Sequence, residues 1–111
     1  MADPTFVAGK WLVLKDPDDI RYYKFGFLKD LTDSSTTPHA TRPPTAILAG
    51  VALATHPDAL PNLFVQGTDV YAFLGGMDVT TTSALNFCTI RLPCANGEQI
   101  DRTMWFVRED H

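Results

Sequence analysis

Hydrophobic and polar residues alternate with a period of two along several short stretches of the chain, which is the pattern of half-buried β-strands. Segment 21–28 shows it most clearly, because aromatic residues occupy every second position there. Two later segments, 85–92 and 103–107, repeat the alternation. The residues that this pattern predicts to face the core are Tyr23, Phe25, Phe27, Cys88, Ile90, Leu92, Met104 and Phe106.

Turn residues separate these segments and predict two hairpins. Asn96-Gly97 favours the tight turns of β-hairpins and joins the last two segments. Gly67-Thr68-Asp69 joins two further short strands in the same way. The remaining predicted strands are 11–14, 45–53, 63–65 and 70–74.

Helical patterns are nearly absent. No window of about a dozen residues keeps the apolar spacing of an amphipathic helix. Segment 47–54, rich in Ala and Leu, is the best helical candidate, but it is short and fits a buried strand equally well. The polar stretch 32–44 is rich in Thr, Ser and Pro and is predicted to be a long loop. Loops of this length in a compact domain often have a function.

These segments together predict an all-β fold. We interpret it as an immunoglobulin-like β-sandwich of about seven antiparallel strands with long loops, and a small OB-like barrel is the alternative. Residues 11–111 are assigned to this single domain. Residues 1–10 include Phe6 but show no periodicity, so we assign them to an N-terminal arm that crosses onto an adjacent subunit.

Composition and charge narrow the function classes. The net charge of −4 disfavours binding to a phosphate backbone, so no nucleic-acid partner is expected. No apolar run approaches the ~20 residues of a membrane span, and the N-terminus lacks the pattern of a signal peptide. We therefore expect a protein that is made and used in the cytoplasm, or assembled there, without a membrane partner.

Catalytic and metal-binding patterns are not found in the sequence. The histidines at 39, 56 and 111 lack the spacing of metal ligands, and the acidic turn at 16–19 lacks the later Gly and Glu of a calcium loop. No serine lies in a nucleophile elbow. Cys88 and Cys94 flank an extended segment, so we expect free thiols. The sequence thus predicts a non-enzymatic protein without cofactor or metal.

The opening of the chain is similar to a known family. Asp16-Pro17-Asp18, followed by Tyr23-Lys24-Phe25-Gly26-Phe27 and Leu31, resembles the opening of the bacteriophage fibre–tail adaptor family. That family shows an Asp-Pro turn and then an alternating aromatic strand. Segment 70–76 resembles its apolar strand that ends in small residues.

The end of the chain resembles the closing hairpin of the same family. An Arg-containing strand, Cys88-Thr89-Ile90-Arg91-Leu92, leads to Asn96-Gly97, then to Asp101-Arg102-Thr103 and the last strand. The resemblance covers about residues 11–107. The chain departs from the family in segments 34–44 and 56–62, which are longer.

The resemblance implies a virion structural protein at the tail or neck, which joins the tail to its fibres. Its expected partners are other virion proteins, either portal or neck proteins or the tail tube, together with tail fibres and further copies of itself in a symmetric ring. It implies no catalytic residue. The residues expected to contact partners are Phe6, Trp11, His39, Arg42, His56 and Asp58.

Two other functions remain open. One is a β-sandwich module that binds a carbohydrate or another ligand, which aromatic residues clustered on one sheet face would favour. The other is a capsid decoration protein. A small enzyme would require a concave polar pocket with shifted titrating groups, and the sequence offers no such constellation.

Overall fold

The computed structural model of the protein describes residues 5–7, 10–15, 19–76 and 86–108. Nine strands and one short helix lie in these residues. They are β1 (Thr5–Val7), β2 (Lys10–Lys15), β3 (Arg21–Gly26), α1 (Leu28–Asp33), β4 (Thr45–Ala49), β5 (Ala52–Leu53), β6 (Leu63–Gln66), β7 (Asp69–Gly75), β8 (Phe87–Pro93) and β9 (Gln99–Arg108).

The larger sheet has five strands in the order β1-β2-β9-β8-β4. Its centre is the β8–β9 hairpin, whose antiparallel register places Ile90 opposite Arg102. β4 extends the sheet on one side of this hairpin, and β2 extends it on the other. The β2–β9 pair is parallel, with Trp11 opposite Met104. The expectation of antiparallel strands throughout is therefore wrong for this pair.

The smaller sheet is built around β7. β3 pairs antiparallel with one edge of β7, from Arg21 opposite Leu74 to Gly26 opposite Asp69. β5 and β6 pair with the other edge, one after the other along its length. Residues 55–61 leave the sheet between them, while Ala54 N–H donates to the Phe73 carbonyl and Phe73 N–H donates to the Asn62 carbonyl. The turn between β6 and β7 includes Gly67, as its sequence predicts.

The hydrophobic core lies between the two sheets. The alternation predicted from the sequence is confirmed, because all eight residues assigned to the inner faces are buried. Tyr23 meets Phe106 across the core, edge to face, with ring centroids 5.2 Å apart. The coarse prediction of an all-β protein with two packed sheets is also confirmed.

The chain passes from one sheet to the other at Gly50. Segment 45–53 was predicted to be one strand, but β4 ends at Ala49 in the larger sheet and β5 begins at Ala52 in the smaller one. Gly50 has a φ of +73°, a conformation that favours glycine. A Cβ at this position would lie 1.7 Å from Oδ1 of the buried Asn86. The helical alternative for 47–54 is wrong.

The helix α1 was missed by the sequence analysis. It has only six residues, Leu28–Asp33, and its single buried residue is Leu31. Asp30 accepts a hydrogen bond from Nη2 of Arg102, which lies on β9. The guanidinium of Arg102 also lies over the ring of Phe27, 5.8 Å from its centroid. Contacts with residues that are distant in the sequence therefore stabilise the position of this helix, and no local sequence pattern predicts these contacts.

The long loop after α1 is attached to the turn of the β8–β9 hairpin. His39 N–H donates to the Pro93 carbonyl, and Ala95 N–H donates to the Thr37 carbonyl, both at 2.9 Å. An isolated β-bridge joins Pro38 and Cys94 between these bonds. The predicted loop 32–44 is thus an ordered part of the fold, apart from its first two residues, which belong to α1.

Part of the predicted N-terminal arm is a strand. Thr5–Val7 pairs antiparallel with β2 of the same chain. Residues 1–4 and 8–9 of the arm lie outside the described residues, as do the 16–18 part of the acidic turn and His111. That the arm crosses onto an adjacent subunit stays a prediction.

Replacing Gly50 with alanine tests the crossing between the sheets. Gly50→Ala adds a methyl group where Asn86 lies, in a backbone conformation that alanine disfavours. Gly67→Ala is the matched control, because Gly67 has a φ of +65° but nothing lies within 4 Å of its added Cβ. We expect Gly50→Ala to lower the free energy of unfolding by about 1–3 kcal/mol more than Gly67→Ala. Urea unfolding followed by circular dichroism measures both, and equal losses would contradict the close approach.

Candidate functional site

Five rings cluster on the outer face of the smaller sheet. Residues that alternate with the buried ones on β3, β6 and β7 point away from the core, and four of these are aromatic. His56, from the loop after β5, joins them. We call this group the aromatic cluster, and its members are Tyr22, His56, Phe64, Tyr71 and Phe73.

Phe73 and Tyr22 form the inner part of the aromatic cluster. Their centroids lie 4.7 Å apart, and the His56 ring contacts both, at 5.0 Å from Phe73 and 5.9 Å from Tyr22. Phe73 is only 9% exposed as a result. This part of the cluster is a small second core on the outside of the sheet.

Phe64 and Tyr71 form the outer part of the cluster. Their rings are stacked, with an interplanar angle of 13° and centroids 5.2 Å apart, and both are half-buried. Tyr71 lies between Phe64 and the exposed Lys24 in the strand register. A flat pair of rings beside a charged side chain offers both an apolar surface and a polar group to a ligand.

The loop 54–62 is fixed against the cluster by hydrogen bonds. The Tyr22 hydroxyl donates to the Pro61 carbonyl at 2.6 Å. Asn62 Nδ2 donates to the Ala54 carbonyl across the base of the loop, at 3.3 Å. The Asp58 N–H donates to Nδ1 of His56, at 3.0 Å. His56 is therefore held in position by its own loop.

The outer face of the larger sheet has a second aromatic pair. Phe87 and Trp105 are opposite each other on β8 and β9, both half-buried, with ring centroids 5.0 Å apart. We call the outer surface formed by Phe87, Trp105, Arg91 and Asp101 the larger-sheet face. Arg91 forms two hydrogen bonds with the carboxylate of Asp101 further along the same hairpin, at 3.1 and 3.2 Å. Charge on this face is thus locally neutralised.

An open groove lies at one end of the sandwich. It has a volume of about 650 Å³, and none of the described residues that line it is charged. Its walls come from α1, the loop after α1, the β6–β7 turn and the β8–β9 turn: Leu28, Leu31, Thr32, Ser35, Thr36, Thr37, Thr68, Ala95 and Asn96. The groove is far more open than an enclosed ligand pocket, and its side chains include no titrating group.

The residues predicted to contact partners do not form one site. His39 accepts hydrogen bonds at Nδ1 from the N–H groups of Thr41 and Arg42, so it organises its own loop. The side chains of Arg42 and Asp58 are exposed. Their role in partner contact stays a prediction.

Phe6 and Trp11 lie opposite each other in the β1–β2 register, at the edge of the larger sheet. His56 is the single predicted contact residue that the structure places in the aromatic cluster. Tyr22, Phe64, Tyr71 and Phe73 were missed, because their grouping depends on strand register rather than on spacing within one segment.

The two thiols are free, as predicted, and both are buried. Burial raises the pKa of Cys88 from 9.0 to about 12. Burial, with a smaller contribution from the Glu98 carboxylate, also raises the pKa of Cys94. A raised pKa keeps a thiol protonated at neutral pH and therefore weakly nucleophilic.

No family model, curated protein or solved structure matches this chain. Within residues 5–7, 10–15, 19–76 and 86–108, no group of three or more His, Cys, Asp and Glu side chains could hold a metal ion. No helix in the described part of the chain is long and apolar enough to cross a membrane.

Thiol labelling tests the burial of Cys88. In a Cys94→Ala variant, we expect the remaining thiol to react with a disulfide reagent at pH 8 at least ~100-fold more slowly than in the chain unfolded in guanidinium. Because burial raises the pKa of Cys88 from 9.0 to about 12, the unfolded thiol ionises before the folded one, and the stability of the fold falls as the pH rises between these two values. Labelling at similar rates in both states would show that Cys88 is accessible.

Proposed function

We propose that this protein is a non-catalytic adaptor of a bacteriophage virion, at the tail or neck, which acts by protein–protein contact. The observation that supports this most is the presence of aromatic side chains on both outer faces of the sandwich. The aromatic cluster lies on one side, and Phe87 with Trp105 lies on the other. A protein that joins two partners needs two separate surfaces, whereas a module for one ligand needs only one.

Aromatic residues suit this role for a physical reason. They bury a large area with few rotatable bonds, and they are enriched in the centres of protein interfaces. Phe64, Tyr71, Phe87 and Trp105 are all half-buried in the single chain. Covering them with a partner would remove further apolar area from water without reorganising the sheets that hold them.

The strand arrangement supports an immunoglobulin-like sandwich as the frame of the adaptor. In that fold one sheet contains the third, sixth and seventh strands of the domain, and the other contains the second, fourth and fifth. Here β4, β8 and β9 lie together, and β3, β6 and β7 lie together. β2 then corresponds to the first strand, but it pairs with the last strand, whereas the first strand of the constant-type fold lies in the other sheet.

The resemblance to the fibre–tail adaptor family agrees with this frame. The segment of this chain that resembles the family's opening aromatic strand is β3, in the smaller sheet. The segment that resembles the family's closing hairpin is β8–β9, in the larger sheet. The motifs therefore contribute core residues to both sheets. Under this proposal the protein is made in the host cytoplasm and joins neck or tail proteins to fibres in several symmetric copies.

Separate variants of the two faces test the adaptor. Tyr71→Ala alters the smaller sheet's outer face, Phe87→Ala alters the larger-sheet face, and Leu28→Ala, at a position on α1 that is 62% exposed and away from both faces, is the control. Binding is measured by light scattering after each variant is mixed with purified proteins of the virion to which the chain is proposed to belong. We expect each face variant to weaken binding of one partner at least tenfold and to keep the other. Loss of the same partner in both variants, or binding of none by the unaltered chain, contradicts the proposal.

A carbohydrate-binding module is the second candidate, and the stacked pair Phe64–Tyr71 favours it. Apolar faces of sugar rings can lie on such flat aromatic surfaces, while Lys24 and Gln66 stand exposed beside them to bind hydroxyl groups. Calorimetric titration of soluble oligosaccharides distinguishes the two functions. Under this candidate the chain alone binds a glycan, Tyr71→Ala abolishes binding and Phe87→Ala does not. If no oligosaccharide binds, this candidate is excluded for the glycans tested.

A further inference from the structure

The two sheets have four edges in the described residues, and three of these are poorly suited to pairing with another chain. β3 has Arg21 and Lys24, and charged side chains on an edge discourage further pairing. The edge formed by β5 and β6 is interrupted by the loop 54–62, and β5 has only two residues. β1, at one edge of the larger sheet, has three residues.

β4 is different. Thr45–Ala49 is a continuous strand of five residues without charge, proline or glycine. It pairs with β8 along one side, and it is the last strand of the larger sheet on the other. Ile47, at its centre, is 45% exposed. An uncharged edge strand of this kind is a template for another strand, because its outer row of backbone N–H and C=O groups can pair with a second row.

The order of residues in β4 suits a second copy of itself. In an antiparallel pair centred on Ile47, Thr45 lies opposite Ala49 of the other copy, and Ala46 lies opposite Leu48. The small residue of each pair faces a larger one. Ala46 and Leu48 already pack against the core of their own chain, so the pairing would bring the two cores side by side.

Charge does not oppose this pairing. Thr45, Arg91 and Asp101 are neighbours across the strands of one copy, and so are Ala49, Phe87 and Trp105. In the proposed pair, Thr45 of one copy lies opposite Ala49 of the other, so these two sets of residues form one line across the joined sheet. Arg91 and Asp101 neutralise each other within one chain. No like charges therefore lie opposite each other in this register.

We propose that two copies of this chain pair through β4, antiparallel and centred on Ile47, so that their larger sheets form one continuous sheet of ten strands. The contact involves five residues from each copy, so the buried area is small and the dimer is weak and concentration-dependent. This inference goes beyond the adaptor proposal and does not depend on it.

Cysteine cross-linking tests the pairing and its register. Cβ atoms of directly opposite residues in an antiparallel pair lie ~4.5–5.5 Å apart, close to disulfide geometry. The native thiols do not compete, because Cys88 is 0% and Cys94 is 1% exposed. We expect Ile47→Cys to form a disulfide-linked dimer on mild oxidation at least tenfold faster than Leu60→Cys, whose residue is similarly exposed on a loop.

A mixture of two further variants distinguishes the proposed register from random collision. Thr45→Cys and Ala49→Cys should form a mixed disulfide with each other, which mass spectrometry identifies. Each alone should form little, because equivalent positions would be four residues apart along the strands, roughly 13 Å. Equal rates for Ile47→Cys and Leu60→Cys would overturn the proposal. So would mixed disulfides no more abundant than the homodimers.

A charged side chain in place of Ile47 provides a second test of the pairing. Sedimentation of the unaltered chain should show mass rising with concentration, and Ile47→Lys should remove this rise while Leu60→Lys keeps it. A chain that stays monomeric at all concentrations and does not cross-link at residue 47 overturns the dimer. Failure here leaves the adaptor proposal unaffected, because that proposal is measured by the partner lost from each outer face.

Discussion

The whole structure depends on keeping the inner faces of the two sheets together. Each sheet contributes one side of a core in which aromatic rings such as Phe25 and Phe106 are almost completely buried. Neither sheet could hide these rings alone, because each presents them on one face. The chain must therefore pass between the sheets. The passage from β3 to β4 contains α1 and the long loop, whereas the passage from β4 to β5 is compact. Gly50 serves one such passage in two residues, at the point where Asn86 leaves no room for a side chain.

The features that depend on nearby residues could be predicted from the sequence. The period-two pattern gave the inner faces, and Asn96-Gly97 gave the closing hairpin, because both are local properties of an extended chain. The helix α1 could not be predicted in this way. Its six residues are too few for a helical period, and its attachment depends on Arg102, far away in the sequence. The parallel β2–β9 pair was missed because it joins the two ends of the domain.

The candidate site was less predictable than the fold. His56 was singled out as a loop residue, but its position beside Tyr22 and Phe73 follows from the path of the loop and the hydrogen bonds at its base. Tyr22 alternates with the predicted core residues of its strand, whereas the sequence pattern assigned no face to Tyr71. That they share a surface follows from the β3–β7 and β6–β7 registers. Register between strands is set by the whole fold, and so the cluster emerged only in three dimensions.

The outer faces and the β4 edge can be occupied at the same time. Pairing at the edge adds strands in the plane of the sheet, so it leaves both outer faces uncovered. Two chains joined at β4 would place two larger-sheet faces, each with Phe87 and Trp105, on one continuous sheet. A partner that itself has repeated copies would then meet two contacts at once. The second contact forms within the complex already made, so a weak individual affinity becomes a much stronger combined one. A small domain with modest surfaces can join large assemblies in this way, because multiplicity replaces the area that a single chain of this size lacks.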